Sequence, residues 1–279
     1  MTCPDKKDCL TGGTGLNVAM VQAEILWRDV PGNLARFEGS LEQVGVTDMI
    51  ILPEMFTSGF SMQGKEETAA AYERIKAWME RMAMRKNALV IGSTVYGEGG
   101  LYYNRLLGAY PNGGCAVYDK RHCFTMGEER AHFTPGRKRE IFTFKGIRIA
   151  PFVCYDLRFP VWSRNTDGYD LAVYVANWPE TRRDPWQILL KARAVENQAY
   201  VVGVNRVGRD GNGLDYSGDS MAVSPRGEVL AACTAGQPEI CRVNLDMQAL
   251  ETFRKKFPVL ADRDDFELCE GKNYEVHPG

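Results

Sequence analysis

The sequence predicts one α/β domain in which helices cover more than one β-sheet. Three observations point there. Apolar runs of strand length alternate with helical patterns near both ends of the chain, period-two segments joined by turn signals fill the middle, and no shift in composition marks a linker. A length of 279 residues allows one large domain or two small ones, and the unbroken composition selects one.

The elements follow in order. LNVAMVQA (16–23) reads as the first strand, and Pro31-Gly32-Asn33 opens a helix that runs to about Val44. DMIIL (48–52) is a short apolar strand that ends at Pro53-Glu54. Residues 66–87 carry the longest helical pattern, with Ala70, Ile75, Trp78, Met79 and Met82 near one face, an arrangement that reads as core packing. The period then changes to two. Strands are expected at 88–96, 101–110 and 115–120, the last two joined by Pro-Asn-Gly-Gly, a hairpin signal. After a long loop (121–138), strands at 140–144 and 147–154 lead to a short helix near Phe159–Arg164. A buried strand at 170–176, a helix at 184–200 with Pro in its first turn and a strand at 200–208 come next. SMAVSP, RGEVLAAC and EICRVNL close the set as strands, before a helix near 246–256.

Bulk properties exclude several classes. A net charge of −2 leaves no basic footprint for nucleic acid. No apolar run approaches the roughly 18 residues that would span a bilayer. Residues 1–15, MTCPDKKDCLTGGTG, are polar and Gly-rich without the apolar centre of a signal peptide, so a flexible leader of 1–15 and a single domain of 16–279 are expected. The eight cysteines (3, 9, 115, 123, 154, 233, 241 and 269) contain no CxxC pair and no regular spacing, which argues against a zinc site. With no signal peptide, a reducing cytoplasm is the expected location.

Three polar residues sit where strands end, the place where functional side chains collect in α/β folds. Glu54 follows IILP, Lys120 follows CAVYD and Cys154 follows IAPFV. Taken singly, each has a bland reading: a solvated carboxylate, a surface lysine, a small core hydrophobe. Together they supply what a thiol nucleophile needs. A carboxylate can take the thiol proton and pass it to a leaving amine, and an ammonium can add positive charge where an oxyanion forms. A strand-to-helix turn at Cys154 would leave backbone N–H groups free for that oxyanion. The rival is a Cys–His arrangement using His122 or His132 in the long loop, or His277 in the tail. None of the three sits at a comparable strand end.

LPEMFTSGF with Glu54, YDKRHCF with Lys120 and FVCYDLRFP with Cys154 resemble, in order and spacing, the Glu–Lys–Cys segments of the nitrilase superfamily of carbon–nitrogen hydrolases. The resemblance covers about residues 16–258. CYDLRFPVWSRN, VYVANWP, ARAVENQAYVVGVNRVG and YSGDSMAVSPRGE are similar to its bacterial omega-amidase branch. The resemblance implies a four-layer α-β-β-α sandwich and an amidase needing no metal or organic cofactor. It implies that Cys154 attacks an amide carbonyl, that Lys120 and the backbone N–H of Tyr155 hold the oxyanion, and that Glu54 moves protons. Glu128 matches the second acidic residue of the superfamily, with Glu129 adjacent. Arg158 suits a substrate carboxylate, or else forms a structural salt bridge with Asp156 or a neighbour. Phe60, Asn177 and Trp178 fall in segments that line the pocket in relatives, or else pack. Tyr155-Asp156 after the cysteine departs from the Trp-Glu of nitrilases proper, which counts against nitriles. Val161-Trp162 after Pro160 departs from the Pro-Glu of the glutathione-related and mammalian-type branches. The expected substrates are 2-oxo-dicarboxylic acid monoamides such as 2-oxoglutaramate and 2-oxosuccinamate; another small amide or an N-carbamoyl compound is the alternative. Family members commonly pair, so a homodimer is expected as well.

Overall fold

The computed structural model describes residues 15–268. The expected leader, apart from Gly15, lies outside the described residues, as do Cys3, Cys9, Cys269 and His277.

One sheet contains β1 (Gly15–Gln22), β2 (Met49–Ile51), β3 (Leu89–Glu98), β4 (Leu101–Ala109) and β5 (Cys115–Asp119). The second begins with β6 (Phe142–Phe144), β7 (Ile147–Val153), β8 (Leu171–Ala176) and β9 (Tyr200–Asn205). A separate two-stranded ribbon, β10 (Val207–Arg209) and β11 (Asp215–Ser217), leaves the end of β9. The second sheet is then completed by β12 (Met221–Val223) and β13 (Val229–Ala232), and β14 (Glu239–Asp246) returns to the first. The orders are β14-β1-β2-β3-β4-β5 and β13-β12-β9-β8-β7-β6. Strands β1, β2 and β3 run parallel, as do β7, β8 and β9.

Alternation along β1 shows how the layers form. Val18 and Met20 join the apolar cluster that both sheets share, whereas Ala19 and Val21 join a second cluster with the helices. Those helices are α1 (Val30–Gln43), α2 (Lys65–Ala70) and α3 (Tyr72–Lys86). Asp29 starts α1 by accepting the Gly32 N–H at 2.9 Å. Phe37 and Leu41 of α1 and Ile75, Trp78 and Met79 of α3 are buried against the first sheet. Each such side chain contributes roughly 1.5–3 kcal/mol through burial. After the short α4 (Glu129–His132), α5 (Arg183–Asn197) covers the outer face of the second sheet, and α6 (Met247–Lys256) follows β14. The result is the expected α-β-β-α sandwich. Gly203 permits the closest approach of α5, because a Cβ there would lie 2.6 Å from Leu190 and 2.8 Å from Trp186.

Trp186 is fully buried, and its Nε1 donates to the Asp219 carbonyl at 2.9 Å. Trp186→Ala is expected to destabilise the fold by about 3–5 kcal/mol, the range for truncating a buried aromatic, measurable as a lower urea midpoint.

Two helix expectations are corrected. The 66–87 helix is two helices broken at Ala71, whose N–H turns to the Glu67 and Thr68 carbonyls while the Tyr72 ring packs on Tyr96 at 4.7 Å. The short helix placed near 159–164 is instead a 3-10 turn over Cys154–Arg158, which begins at the cysteine itself.

Candidate active site

The strand ends of both sheets meet at one place. Glu54 lies just past β2, Lys120 just past β5, Cys154 just past β7 and Asn177 just past β8. The Glu54 carboxylate is fully buried. Its Oε1 accepts from Lys120 Nζ at 3.0 Å and Asn104 Nδ2 at 2.7 Å, and its Oε2 accepts from the Asn177 N–H at 2.7 Å. Asn177 Nδ2 donates back to the Glu54 carbonyl at 2.6 Å. These two bonds tie the first sheet to the second at the site.

The second carboxylate is Glu129, not Glu128. Glu128 takes a left-handed conformation (φ 56°) and its side chain is exposed. Glu129 begins α4 fully buried, with its two oxygens 2.9 and 2.8 Å from Lys120 Nζ, and its Oε2 accepts the Phe124 N–H at 2.6 Å. The turn at Glu128 is what directs the next side chain inward.

Two carboxylates therefore flank one ammonium. Burial opposes the charge on Lys120, but Glu129 and Glu54 outweigh it and hold the ammonium pKa well above its usual value. Burial pushes the Glu129 carboxyl up, assisted by Glu54 and opposed by Lys120. For Cys154, burial and then the Glu54 charge push the thiol well above its ordinary pKa, with Lys120 only partly compensating. The thiol thus rests protonated beside a carboxylate able to take its proton.

Cys154 itself stands at φ 45°, an uncommon conformation for a residue with a Cβ, which costs on the order of 1–3 kcal/mol. Asp156, fully buried, holds the turn. Its Oδ2 accepts from the Val153 N–H at 3.1 Å and the Tyr118 hydroxyl at 2.7 Å, and its Oδ1 accepts from the His122 N–H at 2.9 Å. His122 Nδ1 also lies 2.8 Å from that oxygen, and its ring stacks on Phe159 at 3.7 Å. His122 is thereby committed to the turn, and His132 lies on α4.

Above the thiol opens a cavity of about 320 Å³, lined among others by Phe60, Arg158, Trp178 and Tyr216. That volume suits a small molecule. The Arg158 guanidinium lies 4.9 Å from the Trp178 ring centre and pairs with no carboxylate among the described residues, Asp156 being occupied as above. Trp178 does both jobs set against each other in the sequence. Its ring lines the cavity and packs at 5.5 Å on Trp186, and its Nε1 donates to the Arg182 carbonyl at 2.7 Å. Asn177 also lines the cavity, and Phe60 places its ring centre 5.1 Å from Lys120 Nζ.

Sequence reasoning missed three contributors. Asn104, in the middle of β4, is buried between Ser93 and the two carboxylates, and a lone Asn in a period-two strand carries no signal of that. Asp156 did carry one, being an acid two residues past the thiol in an apolar stretch. Arg182 lines the same cavity with its guanidinium 5.3 Å from the Phe124 ring centre, and nothing in its charged surroundings singled it out.

The carbon–nitrogen hydrolase family pattern matches residues 17–255, and the chain belongs to that family. It is an amidase acting on carbon–nitrogen bonds. Among curated proteins it is similar to "Omega-amidase YafV" of Escherichia coli strain K12, with 48% identity over 254 residues that cover 91% of this chain and 99% of that one. It is also similar to "2-oxoglutaramate amidase" of Bacillus subtilis, with 30% identity over 252 residues, 88% of this chain and 96% of that one. Among solved structures, a carbon–nitrogen hydrolase superfamily protein from Xanthomonas campestris with an arsenic adduct in its active site superposes with a TM-score of 0.89. It is 39% identical and covers 91% of this chain and 99% of its own.

Proposed function

We propose that the chain is an omega-amidase that hydrolyses the terminal amide of 2-oxo-dicarboxylic acid monoamides, with 2-oxoglutaramate and 2-oxosuccinamate as its substrates. The observation that carries this reading is the Arg158 guanidinium, free of any carboxylate partner among the described residues, on the wall of the small cavity that holds Cys154. A planar guanidinium matches the two oxygens of a carboxylate. The names of the two curated relatives agree with it.

In this reading Glu54 takes the Cys154 thiol proton as Sγ attacks the amide carbon. The oxyanion is held by the N–H of Tyr155, the residue that follows the nucleophile in the 3-10 turn, and by the Lys120 ammonium. Glu54 then gives its proton to the departing nitrogen, and ammonia leaves behind a thioester. A water molecule, deprotonated by Glu54, attacks the thioester; the acid departs and the thiol is restored. Glu129 keeps Lys120 charged and in place.

The test is ammonia release from 2-oxoglutaramate compared with butyramide, which lacks the far carboxylate. 2-Oxoglutaramate should be strongly preferred, and Arg158→Ala should raise its KM about 10–100-fold with little change for butyramide, matching the roughly 1.5–3 kcal/mol of a charge-assisted bond. Equal loss on both substrates would assign Arg158 to structure and remove the carboxylate-reading pocket.

We further infer a cytoplasmic homodimer. The five cysteines among the described residues are all unpaired thiols, as a reducing compartment requires. Val161, Ile188 and Val195, on the turn segment after the nucleophile and on α5, are each more than half exposed, an apolar surface that a second copy would cover. Light scattering on the eluting protein should give twice the chain mass; a monomer mass would end that inference.

A further inference from the structure

Away from the cavity, Cys233, Glu239 and Cys241 form a cluster of potential metal ligands among the described residues, with one donor atom from each lying within 4.8 Å of the others. Their placement is built by the fold. Glu239 and Cys241 are two residues apart on β14 and so project to the same face. Cys233 directly follows β13, and its N–H donates to the Ser220 carbonyl at 2.9 Å. The loop between them is fastened to β1 by Gln22, whose Nε2 donates to the Thr234 carbonyl at 2.8 Å and the Gln237 carbonyl at 2.9 Å. The Thr234 N–H in turn donates to Glu239 Oε2, which orients that carboxylate. Cys233 is buried, while Cys241 and Glu239 are half-buried, so the cluster is shielded on one side and reachable from solvent on the other.

We propose that Cys233, Cys241 and Glu239 form a site for a thiophilic divalent cation of the zinc class, with its fourth position open to water. Two sulfurs and one carboxylate oxygen match the ligand preferences of zinc, whereas calcium and magnesium take oxygen ligands almost alone. No electron transfer is involved. Each thiol releases its proton to solvent, two metal–sulfur bonds and one metal–oxygen bond form, and the net product is the bound ion plus two protons. The spacing of these cysteines, without a CxxC pair, hid the site in the sequence. Only the return of β14 beside β1, with the loop after β13 pinned by Gln22, brings the donors together.

Occupancy would reach toward the cavity. Ser220, which receives the Cys233 N–H, accepts through its Oγ from the Asn205 N–H at 3.0 Å, and Asn205 Nδ2 donates to the Trp178 carbonyl at 2.9 Å. The ion therefore braces the segment behind one wall of the substrate cavity.

Cobalt(II) is the probe, because thiolate ligation gives it a sulfur-to-metal charge-transfer band. The full chain carrying Cys154→Ala, which removes the catalytic thiol as a competing ligand, is titrated under reductant. We expect one equivalent bound with that band, two protons released per ion, and displacement by zinc. Adding Cys241→Ser should abolish the band, and Glu239→Gln, which removes a ligand, should weaken binding by at least the roughly 10–100-fold that loss of a mere outer partner costs. With a chelator present to keep both proteins free of metal, the single Cys241→Ser protein, with Cys154 intact, should match the wild-type amidase turnover, which shows that it folds. A charge-transfer band unchanged by Cys241→Ser, or no band in the Cys154→Ala protein, would overturn the site.

Discussion

Cys154→Ala should lower ammonia release from 2-oxoglutaramate by about 10,000-fold or more, since removing a nucleophile leaves only binding and oxyanion stabilisation. The more informative companion is Glu54→Gln. It too should lose most turnover, because in the proposed mechanism Glu54 is the group that takes the thiol proton and returns it to ammonia. Yet its thiol should become easier to ionise. Burial raises the Cys154 pKa first and the Glu54 charge raises it next, so deleting that charge while Lys120 stays must bring the pKa down. At pH 8, iodoacetamide should therefore alkylate Glu54→Gln faster than wild type, although the variant hydrolyses amide far more slowly. In wild type the alkylation rate should keep climbing as pH rises beyond the ordinary thiol range, since the thiolate is the reacting form. If alkylation and turnover fall together in Glu54→Gln, Glu54 holds a thiolate–acid pair at rest, and the protonated resting thiol is wrong.

The second large effect is on the fold as well as the chemistry. Lys120→Met leaves Glu54 and Glu129, both with fully buried side chains, without their shared cation. Stripping one partner from a buried ion cluster costs about 3–5 kcal/mol, and loss of an oxyanion donor should cut turnover by about 100–1,000-fold in addition. The instability should depend on pH with a definite sign. Glu129 already titrates above its ordinary value because of burial and Glu54, and losing Lys120 moves it further up. A carboxyl whose folded pKa exceeds its unfolded one stabilises the fold fully below the unfolded pKa of about 4.3 and loses that contribution as pH rises through the folded pKa. The deficit relative to wild type should thus be smaller at pH 5 than at pH 8 in urea melts. Adding Glu129→Gln should restore part of it, as coupled neighbours do. An equal deficit at both pH values, with no rescue, would leave the two carboxylates out of the account.

Much of this was legible because the local rules agreed with the global fold. Most strands, the Pro-Asn-Gly-Gly hairpin and the Pro-opened helices lie where periodicity and turn chemistry place them, whereas the strand expected over 200–208 divides at Arg206 into β9 and β10 of different sheets. So did the positions of Glu54, Lys120 and Cys154, since strand ends are marked in the sequence. What stayed hidden depended on a direction or a distant partner. Between two adjacent glutamates, only the left-handed turn at Glu128 decides which faces inward, and neither residue type announces it. Asn104 and Asp156 are single polar residues whose partners come from other strands. Arg158 was open between a salt bridge and the pocket until Asp156 proved to be occupied by Tyr118, His122 and Val153.

The clasp between Glu54 and Asn177 has a consequence for how the protein comes alive. These residues are 123 positions apart, and each belongs to a different sheet. In the mechanism proposed above neither sheet alone contains a working set of groups: Glu54 and Lys120 arrive with one, Cys154 with the other. Under that mechanism a nascent or half-denatured chain should be inert toward amides however well either half has formed. Turnover is gained only when the halves dock, so catalytic rate during refolding reports the final assembly step and not the formation of secondary structure. The same seam means that any stress which parts the sheets silences the enzyme before it unravels them.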